Sequence, residues 1–432
     1  VSEATTPPGP ATEPPAPAQT PATESRIDAA SRSVLREMLE SSWLVTVFAV
    51  VAALVLGAVL IAAADARVQE SAGWLFARPT DFLRAIADAV GGAYSALFQG
   101  AVINFSGNGF ARVIRPITET MTVATPLIFA GLGIGIGFRA GLFNIGAQGQ
   151  IILGGVLGAY VGFTFDLPAG LHLLLAVLGA ALGGAIWASI AGVLKATTGA
   201  NEVIVTIMLN NVAIYLIGYL LTTTAFRRPG GANPISPQIP DSATYPLLLG
   251  RDFRLHLGFV LALLAALGVW WLMERSTLGL RFRAVGANPS AARTAGMSVP
   301  WVTVWVMAIA GGLAGLAGSA QVLGTERVLT SGVAASFGFD AITVALLGRS
   351  KPLGTVFAGL LFGGLRAGGF AMQIRTGTPI DIVLVVQSFI VLFIAAPPLV
   401  RAIFRLPTPG GSARTKKRAA KTTSLSAQEA GA

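Results

Sequence analysis

Trp43 to Ala64 runs for 22 residues without one charged side chain, and nine further apolar segments follow it. In hydrocarbon every backbone N–H and C=O has to be satisfied within the chain. An apolar run of about 20 residues therefore has one stable solution, a membrane-crossing helix. The later segments lie at about Met121–Phe138, Ala147–Phe165, Leu171–Leu194, Val203–Thr222, Leu257–Met273, Val302–Leu323, Ala335–Leu347, Pro352–Met372 and Ile382–Leu399. They are continuous and do not alternate, which argues against a β-barrel. Only 12% of residues are charged, where a soluble domain carries about 25%. The expected fold class is an all-α polytopic membrane protein with about ten transmembrane helices.

The flanks read differently. Residues 1–42 open with a Pro-, Ala- and Thr-rich tract that cannot bury enough surface to fold, and a disordered cytoplasmic N-terminus is expected there. Val1 fits an alternative start codon, and Arg26 to Glu40 suits a short amphipathic surface helix. The first apolar run exceeds a signal-peptide core and follows too long a polar stretch, so a retained span is expected. The membrane domain is read as 43–400, with a polar, basic cytoplasmic tail over 401–432. Asp81–Ile103 reads as an amphipathic helix at the outer face. Ala335–Leu347 has only 13 residues and contains Asp340, so it is either a half-helix or a span completed by polar flanks.

With the N-terminus inside, 18 of the 30 Lys and Arg residues fall on the inner side, which favours both termini in the cytoplasm. The net charge of +10 then suits contact with anionic lipid headgroups rather than nucleic acid. Cysteine is absent and only His172 and His256 are present, so neither thiol chemistry nor a His-rich metal site is expected.

The segment from Glu274 to Trp301 is long and basic for so apolar a chain, with Arg275, Arg281, Arg283 and Arg293. Asn288-Pro289 predicts a turn, and the residues after it a short helix with Pro at its first position, ended by Gly296. Ala291-Ala292 with Gly296 four positions on resembles the EAA-type coupling loop of ABC-importer permeases. Arg283-Ala-Val-Gly286-Ala-Asn288-Pro289 resembles the branched-chain amino acid/ribose permease family, most of all its nucleoside-type members. Ser290 stands where that loop's Glu would be, so the resemblance does not carry an acidic contact to the ATPase at this site. The resemblance implies that Arg283, Gly286, Asn288, Pro289, Ala291, Ala292 and Gly296 couple the chain to a cytoplasmic ATPase.

Three more stretches are similar to the same family. Arg139 to Gln150 places Asn144, Gln148 and Gln150 among glycines, where amides donate and accept and the backbone can approach a ligand or a neighbouring helix. In Gly199 to Asn211, Asn201, Glu202, Thr206 and Asn210 fall near one helical face; Glu202 serves either the helix start or the pathway. Phe337 to Arg349 contains Asp340, which is costly in an apolar segment unless paired, and Arg366 would offset it. Asn144, Gln148, Gln150, Asn201, Glu202, Asn210 and Asp340 are the candidate pathway residues. Small residues recur at four-residue spacing, as at Gly154/Gly158/Gly162 and Gly311/Gly315, which lets helices pack closely or slide. Gly141-Leu-Phe-Asn144-Ile145 resembles Gly338-Phe-Asp340-Ala-Ile342, and the two begin at opposite faces in this topology. That is the arrangement of inverted repeats, over roughly 115–222 and 302–400.

The resemblance implies a type II ABC-importer-like permease in the cell membrane, carrying nucleosides. It implies three partners besides lipid: a cytoplasmic ABC ATPase, a second permease subunit of a different chain, and an extracellular substrate-binding lipoprotein. The sequence has no G-x-x-x-x-G-K-[ST] phosphate loop. No catalytic residue, metal or cofactor is expected on this chain, with ATP and Mg on the partner. The alternatives are the same machinery importing a sugar such as ribose, an ion-coupled secondary transporter, and a lipid scaffold. The polar amide patches argue against the last.

Overall fold

The computed structural model describes residues 42–405 apart from 106 and 108. The Pro-rich tract, the Arg26–Glu40 segment and the basic tail after 405 lie outside the described residues. In chain order the helices begin α1 (Ser42–Ala64), α2 (Ala66–Ala72), α3 (Pro79–Ala101), α4 (Phe110–Arg139) and α5 (Ala147–Thr164). They continue α6 (Leu171–Thr198), α7 (Glu202–Leu220), α8 (Gly258–Arg275), α9 (Thr277–Ala287) and α10 (Pro289–Thr294). The series closes with α11 (Val299–Ser319), α12 (Phe337–Leu347), α13 (Pro352–Thr376), α14 (Ile380–Ala395) and α15 (Pro397–Ile403). The described residues fall into two units, 42–48 with 397–405, and Ala49–Ala396.

All ten apolar segments are helical. Among the described residues seven helices are long and apolar enough to cross a membrane: α1, α4, α6, α7, α8, α11 with its continuation to Thr325, and α13. The other three are α5, whose first turn carries Gln148 and Gln150, and the shorter α12 and α14. At 11 residues α12 spans about 16 Å, roughly half a bilayer core, so the half-helix alternative holds. An irregular stretch leads into it, with Leu329, Val333 and Ala334 buried, which is how non-helical backbone is tolerated at membrane depth.

Helix α4 is the axis of the larger unit. It is buried almost throughout from Thr118 to Gly137 and packs on α11, α12, α13 and α8. It starts eleven positions earlier than its apolar run, because Arg112, Arg115, Pro116 and Glu119 mask the first turns in hydropathy. The helix expected over 81–103 is α3, which lies along α13: a Cβ on Gly368 would overlap the Leu97 carbonyl.

The packing has an internal pairing. Helix α4 packs on α12 and α13, α11 packs on α5 and α6, and α4 and α11 pack on each other. Exchanging the 115–222 stretch with the 302–400 stretch carries each of these contacts onto another. The second motif also meets the helix that follows the first, since Gln148 bonds Gly338.

Glycine sets the closest approaches. A Cβ on Gly315 would overlap the Ala180 carbonyl, one on Gly184 the Gly311 carbonyl, and one on Gly154 the Gly315 backbone. The α5–α6–α11 group is thus joined backbone to backbone.

Between α7 and α8 the chain is irregular yet ordered. Tyr245 N–H donates to the Leu323 carbonyl at 2.9 Å, its hydroxyl lies 2.8 Å from Ser319 Oγ, and Leu329 N–H donates to Ser236 Oγ at 2.8 Å. His256 stacks on Tyr245 with ring centroids 5.4 Å apart. Its Nδ1 accepts from Gly258 N–H at 3.1 Å, which puts the ring proton on Nε2, buried and without a partner among the described residues. Burial first, then Arg254 and Arg327, push its pKa from the usual 6.5 down to about 4.

Two predictions follow from this packing. Gly315→Ala should destabilise the purified protein by ~1–3 kcal/mol, while Gly218→Ala, with no atom within 4 Å of the new Cβ, should change it by under ~0.5 kcal/mol. Thermal unfolding in detergent separates them. For His256, the unfolded chain takes a proton below about 6.5 and the folded ring only near 4. Stability should therefore fall as pH drops between these values, and His256→Phe should flatten that dependence. Hydrogen exchange across 245–258 reads it out.

Candidate coupling elbow and translocation site

The segment read as a loop with one short helix holds two. Helix α9 was not anticipated, because Arg281, Arg283 and its glycines give no apolar run. Its start was nonetheless signalled by Ser276, whose Oγ accepts from Gly279 N–H at 3.0 Å. A Cβ on Gly279 would overlap the Leu272 carbonyl, so only glycine lets α9 fold back on α8. Asn288 closes α9 and opens α10, its Oδ1 accepting from Ser290 N–H at 3.0 Å and Ala291 N–H at 3.1 Å. Pro289 takes the first helical position and Gly296 the left-handed turn after the helix, at φ +79°. Ala292 faces inward, 4% exposed, while Pro289, Ser290, Ala291 and Gly296 form a small-residue outer surface.

This elbow is tied to α4. Glu274 accepts from Arg139 at 2.7 Å and from Arg283 at 3.3 Å. Gly286 lies so close to the Arg139–Ala140 backbone that a Cβ would overlap the Arg139 carbonyl, and Gly141 answers it at φ +72°. Of the candidate coupling residues, Arg283 and Gly286 thus face the bundle, Asn288 and Ala292 shape the elbow, and Pro289, Ala291 and Gly296 are presented outward.

The next turn carries the amide patch. Asn144 and Gln150 exchange two hydrogen bonds, 3.1 and 3.0 Å, and Asn144 also accepts from Gly146 N–H at 2.9 Å. Asn210 accepts from Gly149 N–H at 2.8 Å and donates to the Ile145 carbonyl at 2.9 Å. Gln148 reaches α12, donating to the Ala335 carbonyl at 2.6 Å and accepting from Gly338 N–H at 3.0 Å. All four are buried with protein partners, and they brace α5, α7 and α12. Glu202 pairs with Lys195 and accepts from Phe143 N–H, while Asn201 is exposed and caps α7 through Val203 and Ile204. Glu202, Thr206 and Asn210 share the buried face; Asn201 does not.

Asp340 sits in the first turn of α12. Its Oδ2 accepts from Arg366 at 3.3 Å and from Ser336 Oγ at 2.8 Å, and its Oδ1 accepts from Gln387 at 3.3 Å. Arg366 also donates to Ser336 at 3.0 Å and lies over the Phe337 ring at 4.5 Å. The expected Asp340–Arg366 pair therefore exists, with two partners that residue spacing alone did not suggest. Beside it opens a cavity of about 300 Å3, lined among others by Glu119, Arg254, Gln321, Phe337, Arg366 and Phe370. Glu119 and Arg254 pair across it at 3.6 Å. Of these lining residues only Asp340's partner Arg366 and the Phe337 motif stood out in the sequence.

Residues 117–395 match a family described as branched-chain amino acid transport system / permease component. The chain is 39% identical over 316 residues to the guanosine ABC transporter permease protein NupP of Bacillus subtilis, covering 73% of this chain and 88% of that one. It is 37% identical over 291 residues to a glucose ABC transporter permease protein of Haloferax volcanii, covering 64% and 75%. It is 31% identical over 316 residues to the nucleoside ABC transporter permease protein NupB of Lactococcus lactis, covering 71% and 86%. No solved structure matches.

Arg366→Ala would leave Asp340 without its cation and should destabilise the protein by about 3 kcal/mol, the low end for a mostly buried pair. Adding Asp340→Asn to Arg366→Ala should recover most of that loss. Unfolding in detergent of the two single variants and the double variant measures the cycle.

Proposed function

Because the chain belongs to the branched-chain amino acid transport system permease component family, we propose that it is the membrane-spanning subunit of an ATP-driven importer whose cargo is a nucleoside. The family and the permease relatives support the importer, and two of the three relatives named above are guanosine or nucleoside permeases. The sequence carries no phosphate loop, so ATP and Mg belong to a cytoplasmic ATPase, and this subunit contributes no catalytic group. A second permease chain and an extracellular substrate-binding lipoprotein complete the assembly. Both termini lie in the cytoplasm, on the side of the elbow.

The observation that carries the coupling role is the Glu274 bridge. The outward face of α10 is small enough to seat in a groove of the ATPase. Movement of α10 is shared with α9 through Asn288, and Glu274 with Gly286 passes it to the end of α4. From there the Arg139–Gln150 turn leads to the amide brace and the half-helix. Transport is then a switch between two packings of this unit, driven by the partner's closure.

A sugar cargo has the Haloferax volcanii relative in its favour, but the nucleoside relatives match over more of this chain. An ion-coupled mechanism has less support. Glu119, Glu202 and Asp340 are each held by a cation, whereas a proton carrier needs a carboxylate free to change its charge.

Glu274→Ala should leave the subunit inserted and assembled, with ATP hydrolysis retained and nucleoside uptake per ATP reduced several-fold. Paired uptake and hydrolysis assays in proteoliposomes measure the ratio. An unchanged ratio would overturn the coupling role of the bridge.

A further inference from the structure

Gln321 is 6% exposed, and its side-chain amide makes no hydrogen bond to another described residue. An amide so placed takes its partners from whatever fills the space it opens on, water or a ligand. This one is not sealed in packing. It lines the cavity of about 300 Å3 beside the half-helix, so a partner can reach it only through that space. It is held there by a backbone irregularity: α11 continues as a π-helical turn over Ala320–Thr325, and Glu326 N–H donates to the Gln321 carbonyl five residues back at 2.8 Å. Single π turns are rare and concentrate at functional sites. The orphan amide and the distorted turn are separate observations that point into one space.

The remaining walls define what fits. Phe337 and Phe370 contribute aromatic rings, and Arg366 lies over the first of them, already held by Asp340. Glu119 and Glu326 face Arg254 and Arg366, so the lining has no surplus of positive charge to hold a phosphate. The volume is at the lower end of the ~300–1,000 Å3 usual for small-molecule sites. An amide both donates and accepts, which matches the edge of a nucleobase, and aromatic walls stack on any base face.

We infer that this cavity is a cargo subsite, in which Gln321 reads the hydrogen-bonding edge of an uncharged nucleoside's base and Phe337 and Phe370 wall its faces. This rests on the nucleoside reading above and extends it, because it gives the permease chain its own share in selectivity. A site that hydrogen-bonds its ligand discriminates against analogues that leave its polar group unpaired.

The test uses the complete transporter in proteoliposomes with ATP supplied, measuring KM for radiolabelled guanosine and uridine. Glucose uptake is measured beside them. Gln321→Leu should raise the guanosine KM about tenfold, the loss of roughly one hydrogen bond, and change the guanosine-to-uridine ratio. Phe370→Ala, at a half-exposed ring, should raise KM for both and keeps the test decisive if Gln321→Leu fails to assemble. The binding protein is the same throughout, so a change belongs to the permease chain. Unchanged KM and ratio in assembled variants would overturn the subsite and leave the nucleoside reading standing. A wild-type complex that carries glucose and no nucleoside would overturn the nucleoside reading, and the base-reading role with it.

Discussion

Helices in lipid gain nothing from hiding apolar surface, because the solvent is as apolar as they are. What holds this bundle is close approach of backbones where side chains are missing. Gly154, Gly184, Gly311 and Gly315 bring α5, α6 and α11 together until carbonyl oxygens occupy the places of absent Cβ atoms. The same device sets the other half, where Gly363 sits on the Thr120–Ala124 stretch of α4 and Gly368 on Leu97 of α3. Interdigitation this tight resists gradual deformation, so conformational change has to come from a shift between discrete packings.

Polar contacts are then concentrated at the joints between the glycine-packed groups. Asn144, Gln150 and Asn210 fix the α4–α5 turn against α7, and Gln148 alone reaches the backbone ahead of and within the half-helix. Each bond satisfies a backbone or amide group that lipid could not, so breaking one is costly unless another partner replaces it. Such joints favour a few defined arrangements over a continuum. The elbow is built from weaker material: its Glu274 bridge is part-exposed and its α10 makes few buried contacts.

Much of this was legible because it is local. Apolar runs mark helices, Asn288-Pro289 marks a cap, Gly296 marks the left-handed residue after it, and a lone Asp340 asks for a cation. Helix α9 escaped because its packing depends on Gly279 and Gly286 meeting backbone elsewhere, and a glycine in sequence does not name what it lies against. Glu119 lies outside the apolar run that begins at Met121, yet it is well inside the helix and pairs with Arg254. The amides stood out as polar residues in apolar sequence, but whether an amide is a strut or a ligand group is decided by its partner, which for Asn144 and Gln150 lies within six positions and for Asn210 and Gln148 lies 61 to 190 positions away. By that criterion Gln148, Gln150, Asn144 and Asn210 are engaged in this conformation. Among the described buried amides Gln321 is the one without a side-chain hydrogen bond, and nothing in its own neighbourhood of sequence announces the π turn that carries it.

The two halves meet where that difference matters. Gln148 bonds the backbone at Ala335 and Gly338, within a few residues of Ser336 and Phe337, while Ser336 and Asp340 hold the Arg366 that forms one cavity wall. A displacement of the α4–α5 turn relative to α12 must therefore change either the Gln148 bonds or the position of the half-helix. The second alternative keeps the buried amide satisfied, and so costs less. It also moves Phe337 and, through Asp340, Arg366 relative to Gln321, which is anchored on α11. The cavity thus lies where the two halves join, walled by residues of the half-helix, of α13 and of the π turn.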